Sequence, residues 1–366
     1  MRPRLRAFLT TCAVLTVMTA AVPTSAHAAA SPTDGGAVLV ALGDSFASGE
    51  GSAPYLAGTD TAGNTCHRSP QAYGSLLASI LGVSSSFAFV ACSGAVTADL
   101  FAPNHGGNRL PGGAVEPAQL CQAATVTVAG VTVPACPAGT APALGPATRA
   151  VTLSIGGNDA GFSAVVGSCV FVAYLEIGQP GRGCASRPDI TLPAFARLME
   201  LAGLSPSPAQ PAPAGTAVHA ISDVLAAVHA LAPNAHIYLT GYPKLFGDAG
   251  SGDCTVGTVT DAGSGTTLPI RIAASDAAFL DNATEFLDNV EAQAVAPDYP
   301  WASFVSVQAR FAGHGICSAD TWLTPLRVTS TNGALSVAQD SLHPTPVGQW
   351  NYVGAIFDVT RGPGAL

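Results

Sequence analysis

Apolar runs and amphipathic stretches alternate along this chain, with sharp polar turns between them. Ala37–Leu42 is an uninterrupted apolar run that predicts a strand buried on both faces. It breaks at Gly43-Asp44-Ser45. Pro70–Leu81 brings Tyr73, Leu76, Leu77 and Ile80 to one side at helical spacing. Ser86–Cys92 predicts a second strand, and Cys92-Ser93-Gly94-Ala95 opens a short helix through Leu100. Ala150–Ile155 predicts a third strand, ending in Gly156-Gly157-Asn158-Asp159. Phe162–Tyr174 and Ile190–Leu201 read as helices. Thr216–Leu231 is amphipathic, with Val218, Ile221, Leu225 and Val228 on one face, and Pro233 stops it. His219 and His229 are expected as ordinary helix residues there. His236–Thr240 and Ala302–Val307 predict a fourth and a fifth strand. Between them, Pro269–Val295 holds a long helix, best from Ser275. Leu280, Ala283, Phe286, Leu287, Val290 and Ala294 line one side, and Asp276, Asp281, Glu285, Asp288 and Glu291 are expected on a solvated face. Thr345 can cap, and Pro346 start, a last helix to about Val359.

Strands alternating with helices imply an α/β fold: a three-layer sandwich around a five-stranded parallel sheet with right-handed crossovers. Two regions depart from this rhythm. Within Phe101–Thr148, Thr125–Val133 alternates at period two around Ala129-Gly130 and predicts a surface hairpin between Cys121 and Cys136. Gly247–Gly265 is polar and Gly-rich and reads as a loop. Leu204–Gly215 is Pro-rich, the composition of a linker. Because chemistry from both ends of the chain converges, as argued below, it is expected to be a loop within one domain spanning residues 29–366.

The first residues are not expected to belong to that fold. Arg2, Arg4 and Arg6 precede an apolar stretch from Ala7 to Val22, and Ala26-His27-Ala28 has the A-x-A form of a cleavage site. Residues 1–28 read as a secretory signal peptide, so the protein is expected to be secreted and extracellular, with no membrane anchor. Of the nine cysteines, Cys12 falls within that segment. The other eight are an even set in an exported chain, which reads as disulfides. Sequence alone does not choose among roughly a hundred pairings. Pairing of sequential neighbours is the expectation: Cys66–Cys92, Cys121–Cys136, Cys169–Cys184 and Cys254–Cys317. The net charge is −9 and no basic stripe occurs, which argues against a nucleic-acid partner. No C-x-x-C or H-E-x-x-H is present to suggest a metal. With 48% apolar residues, the chain can bury a large core, and a monomer is expected.

Four residues share one topological position. Ser45 follows the first strand, Gly94 the second and Asn158 the third, and His343 lies in the loop after the fifth. In an open α/β sheet the carboxyl ends of the strands border one crevice. A serine hydroxyl needs an adjacent base, and imidazole changes charge near neutral pH. Asp340, three residues before His343, can accept from its Nδ1–H. The N–H groups of Ser45 and Gly94 and the Asn158 amide can stabilise an oxyanion. His67, His105, His236 and His314 have no comparable context, and Asp44 and Asp159 read as turn formers. There is no G-x-S-x-G elbow and no phosphate-binding G-x-x-x-x-G-K-[ST].

Gly43-Asp44-Ser45, Gly94, Gly156-Gly157-Asn158-Asp159 and Asp340-x-x-His343 resemble the four blocks of the GDSL, or SGNH, hydrolases. Gly49-Glu50-Gly51 and Cys66-His67-Arg68-Ser69 extend the resemblance to secreted bacterial lipases and esterases of that family, and Phe46 stands where the motif has Leu. The resemblance implies a flavodoxin-like sheet of order 2-1-3-4-5. It also implies catalysis by Ser45, Gly94, Asn158 and His343, with no metal or organic cofactor. In some secreted relatives a backbone carbonyl takes the place of the acid, so Asp340 and a carbonyl both stand as orienters of His343. The family's disulfides resemble Cys66–Cys92, Cys169–Cys184 and Cys254–Cys317, and Cys121–Cys136 looks additional. The expected function is a secreted carboxylic-ester hydrolase, a lipase or esterase working through an acyl-serine on an ester or lipid substrate. A phospholipase and a carbohydrate-ester deacetylase use the same residues. A non-catalytic binding relative is the reading from another class.

Overall fold

The computed structural model describes residues 35–175, 183–184, 187–204, 216–247, 254–295, 299–360 and 362. The expected signal peptide, and all but the first residue of the Pro-rich stretch, lie outside these residues.

The chain begins with β1 (Leu39–Gly43), the single-turn α1 (Ser45–Ser48), α2 (Tyr73–Ile80) and β2 (Phe87–Phe89). The hairpin β3 (Val126–Val128) and β4 (Val131–Val133) follows, then β5 (Ala150–Ser154), α3 (Phe162–Leu175) and α4 (Pro188–Leu201). Next come α5 (Ile221–Leu231), β6 (His236–Thr240), β7 (Cys254–Asp261), β8 (Thr267–Ile272) and α6 (Ala274–Ala294). The last elements are β9 (Ala302–Val305), α7 (Gln308–Phe311), β10 (Leu326–Thr331), β11 (Ala334–Val337) and α8 (Pro346–Thr360).

The principal sheet has the order β2-β1-β5-β6-β9 and every pairing in it is parallel. This is the expected 2-1-3-4-5 order. β1 and β5 are buried along their whole length. Apolar side chains therefore point both ways. Leu39 packs with Tyr73 and Leu77 of α2 and with Tyr352 and Ile356 of α8. Val40 and Leu42 pack on the opposite side with Leu225 and Val228 of α5. Each such buried Leu or Val contributes about 1.5–3 kcal/mol of transfer free energy.

The segment expected as a polar loop, Gly247–Gly265, instead contains the whole of β7. β7 pairs in parallel with β10 and antiparallel with β8, and β11 completes a second sheet of order β11-β10-β7-β8. Thr255 to Thr260 is rich in β-branched residues, a strand composition whose alternation is broken at Gly257, where the register shifts. Pro269 is tolerated because β8 is an edge strand. Leu268, Val259, Val328 and Val337 lie directly opposite one another across the four strands, so they form one apolar row on one face.

The solvated face expected on the long helix is also corrected. Asp276, Asp281, Asp288 and Glu291 are buried. Asp281 accepts from the Phe246 N–H at 2.9 Å and Asp288 from the Tyr242 N–H at 2.8 Å. The loop after β6 has backbone donors to satisfy inside the protein, and α6 supplies their acceptors. Phe286, expected on the apolar side, is 40% exposed and lies against Phe195 of α4. His219 precedes α5 rather than lying on it.

All four expected disulfides are formed. Cys121–Cys136 staples the β3–β4 hairpin. Cys254–Cys317 spans 63 positions and ties the start of β7 to the loop before β10. Replacing both of these cysteines with serine should lower folding stability by about 4 kcal/mol, as loop closure of that length predicts. Chemical denaturation of the double variant checks this, and an unchanged midpoint would refute it.

Candidate active site

Three turns leave the same edge of the principal sheet, after β1, β2 and β5. The first is the sharpest. Gly43 has φ +120°, and a Cβ there would lie 2.0 Å from the Ser154 carbonyl oxygen. Only glycine permits this approach of β1 to β5. Gln119 brackets the same residue, accepting from the Gly43 N–H at 2.7 Å and donating to its carbonyl at 2.8 Å. The chain then turns into α1, with the Asp44 carboxylate accepting from the Phe46 N–H at 3.0 Å.

That turn delivers Ser45 to His343. The Ser45 Oγ lies 2.8 Å from Nε2 of His343, although the two residues are 298 positions apart. The His343 loop is stitched to the second sheet. The Leu342 N–H donates to the Thr324 carbonyl, and the Thr324 N–H donates to the His343 carbonyl, each at 2.8 Å. The Arg327 N–H donates to Ser341 Oγ at 3.1 Å. Leu342 has φ +67°, a conformation costly for a bulky side chain, and these bonds hold it there. Burial pushes the His343 imidazole below its ordinary value of 6.5; the negative charge of Glu50, the carbonyls of Ser341 and Asp340 and the Asp340 carboxylate partly offset this.

The other expected residues border the same space. Ser45, Gly94, Asn158 and His343 all line a cavity of about 330 Å³. Asn158 Nδ2 donates to the Ala95 carbonyl at 2.9 Å, which fixes the amide beside the Gly94 turn. The remaining walls are largely apolar. Phe162 and Val166 come from α3, Leu287 from α6, and Val259, Ile270, Leu326, Val328, Leu335 and Val337 from the second sheet.

Asp340 stands apart from the other four. Its carboxylate is paired with the Arg327 guanidinium. Its second oxygen and His343 Nδ1 are both buried, and neither makes a full hydrogen bond.

Sequence reasoning missed the groups beneath the site. Tyr242 donates to Asp44 Oδ2 at 2.5 Å and accepts from the Gly157 N–H at 3.1 Å. It thereby ties the turn after β1 to the turn after β5. Ser154 Oγ donates to the other Asp44 oxygen at 3.0 Å. Asp159 accepts from the Thr97 N–H and from Thr97 Oγ1, at 2.9 and 2.6 Å, and so joins the turns after β5 and β2. Both aspartates act between turns as well as within them. A tyrosine after a strand carries no motif, so Tyr242 had no sequence signal.

The family described as GDSL-like Lipase/Acylhydrolase matches residues 41–350. The fold and this site therefore define a class: the chain belongs to the GDSL-like lipase/acylhydrolase family, a family of serine ester hydrolases. It is 26% identical over 317 residues to Lipase 1 of Streptomyces coelicolor, a match covering 85% of this chain and 81% of that one. Among solved structures it is similar to phospholipase A1 from Streptomyces albidoflavus NA297. The identity is 27% and the TM-score 0.57, with 88% of this chain and 99% of that one covered. It is also similar to an extracellular lipase from Streptomyces rimosus, with 25% identity, a TM-score of 0.51 and the same coverage.

Burial gives the site a pH signature in stability. It raises Asp44 to about 6, and Asp159 and Asp288 to about 7, against their hydrogen bonds. Each is raised above its ordinary 3.8, so the folded state holds more protons than the unfolded chain. The stability these groups contribute is full below that value and is lost as pH rises through 6 to 7. The melting temperature should therefore fall between pH 5 and pH 8. A flat or rising profile would contradict the protonated state of these carboxyls.

Proposed function

We propose that this chain is a secreted carboxylic-ester hydrolase acting on lipid or medium-chain acyl esters, with residues 29–366 as a single hydrolase domain. The observation that carries the mechanism is the 2.8 Å contact between Ser45 Oγ and His343 Nε2 at the wall of an apolar cavity. Ser45 Oγ attacks the ester carbonyl while Nε2 takes its proton. The oxyanion is held by the N–H groups of Ser45 and Gly94 and by Asn158 Nδ2. Among the described residues, neither of those N–H groups has another acceptor. His343 then gives its proton to the leaving alcohol. Water, deprotonated by the same nitrogen, attacks the acyl-serine; the acid leaves as the proton passes from Nε2 back to Ser45 Oγ. Each step balances with the substrate, water and this chain's own groups.

The acyl preference rests on the cavity walls. Six apolar residues of the second sheet and two of α3 face it, so an acyl chain there leaves water for a hydrocarbon surface. The lipase and phospholipase A1 names of the relatives agree with a lipid ester. Export is supported by the four disulfides and by the extracellular lipase among the similar structures. No helix among the described residues is long and apolar enough to cross a membrane. In our reading, a backbone carbonyl of the Ser341–Asp340 segment orients His343, because the Asp340 carboxylate is engaged by Arg327.

Ser45→Ala should abolish hydrolysis of chromogenic esters while the melting temperature stays near that of the parent, and retained activity would refute the assignment. Asn158→Ala should lower kcat by about 10²–10³, as for one lost oxyanion donor. Asp340→Asn should cost less than about tenfold, against about 10⁴ for a true triad acid. A series of acyl-chain lengths, with a phospholipid and an acetylated sugar, should peak at medium-chain esters. A peak on the acetylated sugar would overturn the lipid preference.

A further inference from the structure

One buried carboxylate close to the reacting histidine has no part in the mechanism above. Glu50 is 1% exposed, and its backbone N–H donates to the Ser45 carbonyl at 3.0 Å. Its Oε1 accepts from Tyr55 OH at 3.0 Å. Its Oε2 lies 2.6 Å from His67 Nδ1 and accepts from Ser93 Oγ at 2.9 Å. Ser93 in turn accepts from Gln339 Nε2 at 3.1 Å. Ser93 immediately precedes Gly94, and Gln339 immediately precedes Asp340. A single carboxylate therefore joins the segment after the nucleophile, the turn that carries Gly94 and the loop that carries His343.

The next residues close on that loop directly. A Cβ at Gly51 would lie 3.0 Å from the His343 Cβ, and Ser52 Oγ donates to the Pro344 carbonyl at 2.9 Å. His67 is held in place by stacking on Tyr55 at 4.4 Å, and its Nε2 faces Asp60 at 3.3 Å. These contacts exceed what a surface turn requires, and the Ser52, His67 and Glu50 side chains among them are buried.

We propose that Glu50 is a positioning residue for this reaction. Its carboxylate fixes the Ser93–Gly94 turn against the nucleophile segment, and its negative charge stabilises the His343 imidazolium as that cation forms. In a triad that charge sits on the acid bonded to Nδ1. Here the Asp340 carboxylate is shared with the exposed Arg327 guanidinium, and Glu50 supplies a second negative charge that is buried and preorganised. The proposal rests on the Ser45–His343 reading above.

The charges around the pair are few. His343 faces Ser45, Glu50 and the Asp340–Arg327 pair. Glu50 faces His67, Tyr55 and His343, and Asp60 lies behind His67. Burial alone would raise Glu50, but the His67 hydrogen bond and the two imidazoles outweigh it and hold the carboxyl below its ordinary value. Burial alone would lower His67, but Glu50 and Asp60 outweigh it and raise it. Glu50, held below its ordinary value, carries its charge beside His67, the imidazole bonded to its Oε2.

The test is the pH profile of kcat/KM for a soluble acyl ester in two variants, with folding checked by melting temperature. Glu50→Gln keeps the shape and removes the charge. It should lower the plateau kcat about tenfold and move the acid limb down by about half a pH unit, because free His343 loses a stabilising charge. His67→Gln leaves Glu50 less balanced, so the acid limb should move up by a similar amount. A merely structural role lowers the rate without displacing the limb in opposite directions. An unmoved limb in a folded Glu50→Gln variant overturns the proposal. If that variant does not fold, an unmoved or lowered limb in His67→Gln overturns it. These failures differ from that of the hydrolase reading, which falls only if Ser45→Ala remains active.

Discussion

The approach of β1 to β5 at Gly43 is the constraint on which the site depends. The Ser154 carbonyl occupies the space a side chain would need, and it also accepts from the Asp44 N–H at 2.8 Å. That bond ends the strand and starts the turn into α1 within two residues. The parallel register then places Ser154, and so the Gly156–Asn158 turn, beside the same corner. Buried polar groups lock the junction: Asp44, Tyr242, Ser154 and Gln119 are mutually or locally satisfied. A partly satisfied network of this kind costs more than an apolar core, so its completeness matters as much as its presence.

The second sheet does two things at once. Its apolar face lines the cavity, and its strand β10 carries the bonds that hold the His343 loop. The cavity wall and the His343 loop therefore share a support. The Cys254–Cys317 bridge ties the start of that sheet to the loop preceding β10.

Buried acids recur around the site with different fates. Asp44, Asp159 and Asp288 accept several hydrogen bonds, yet burial still raises them. Glu50 is held below its ordinary value because two imidazoles face it. The difference is the hydrogen bond from His67, with the two imidazoles facing the carboxylate. Hydrogen bonds from neutral groups satisfy a carboxylate but do not repay its lost hydration in full. Among these four acids, Glu50 is the one whose carboxylate is bonded to an imidazole.

The sequence by itself determined the five-stranded parallel sheet and its alternation with helices, because buried central strands need unbroken apolar runs. It also marked Ser45, Gly94, Asn158 and His343, since a catalytic serine must leave a strand sharply and its partners must leave neighbouring strands at the same edge. The tertiary structure decided three further things. It made strands of Cys254–Asp261 and Leu326–Val337, whose Gly, Thr and Ser content reads as loop until β7 and β10 pair across 60-odd intervening residues. It buried the acids of α6, because helical periodicity shows which face is apolar but not which donors the facing loop leaves unpaired. It separated Asp340 from Glu50, pairing the first with Arg327 and enclosing the second beside His67. Charge interactions depend on distance and burial, and neither is written in residue order.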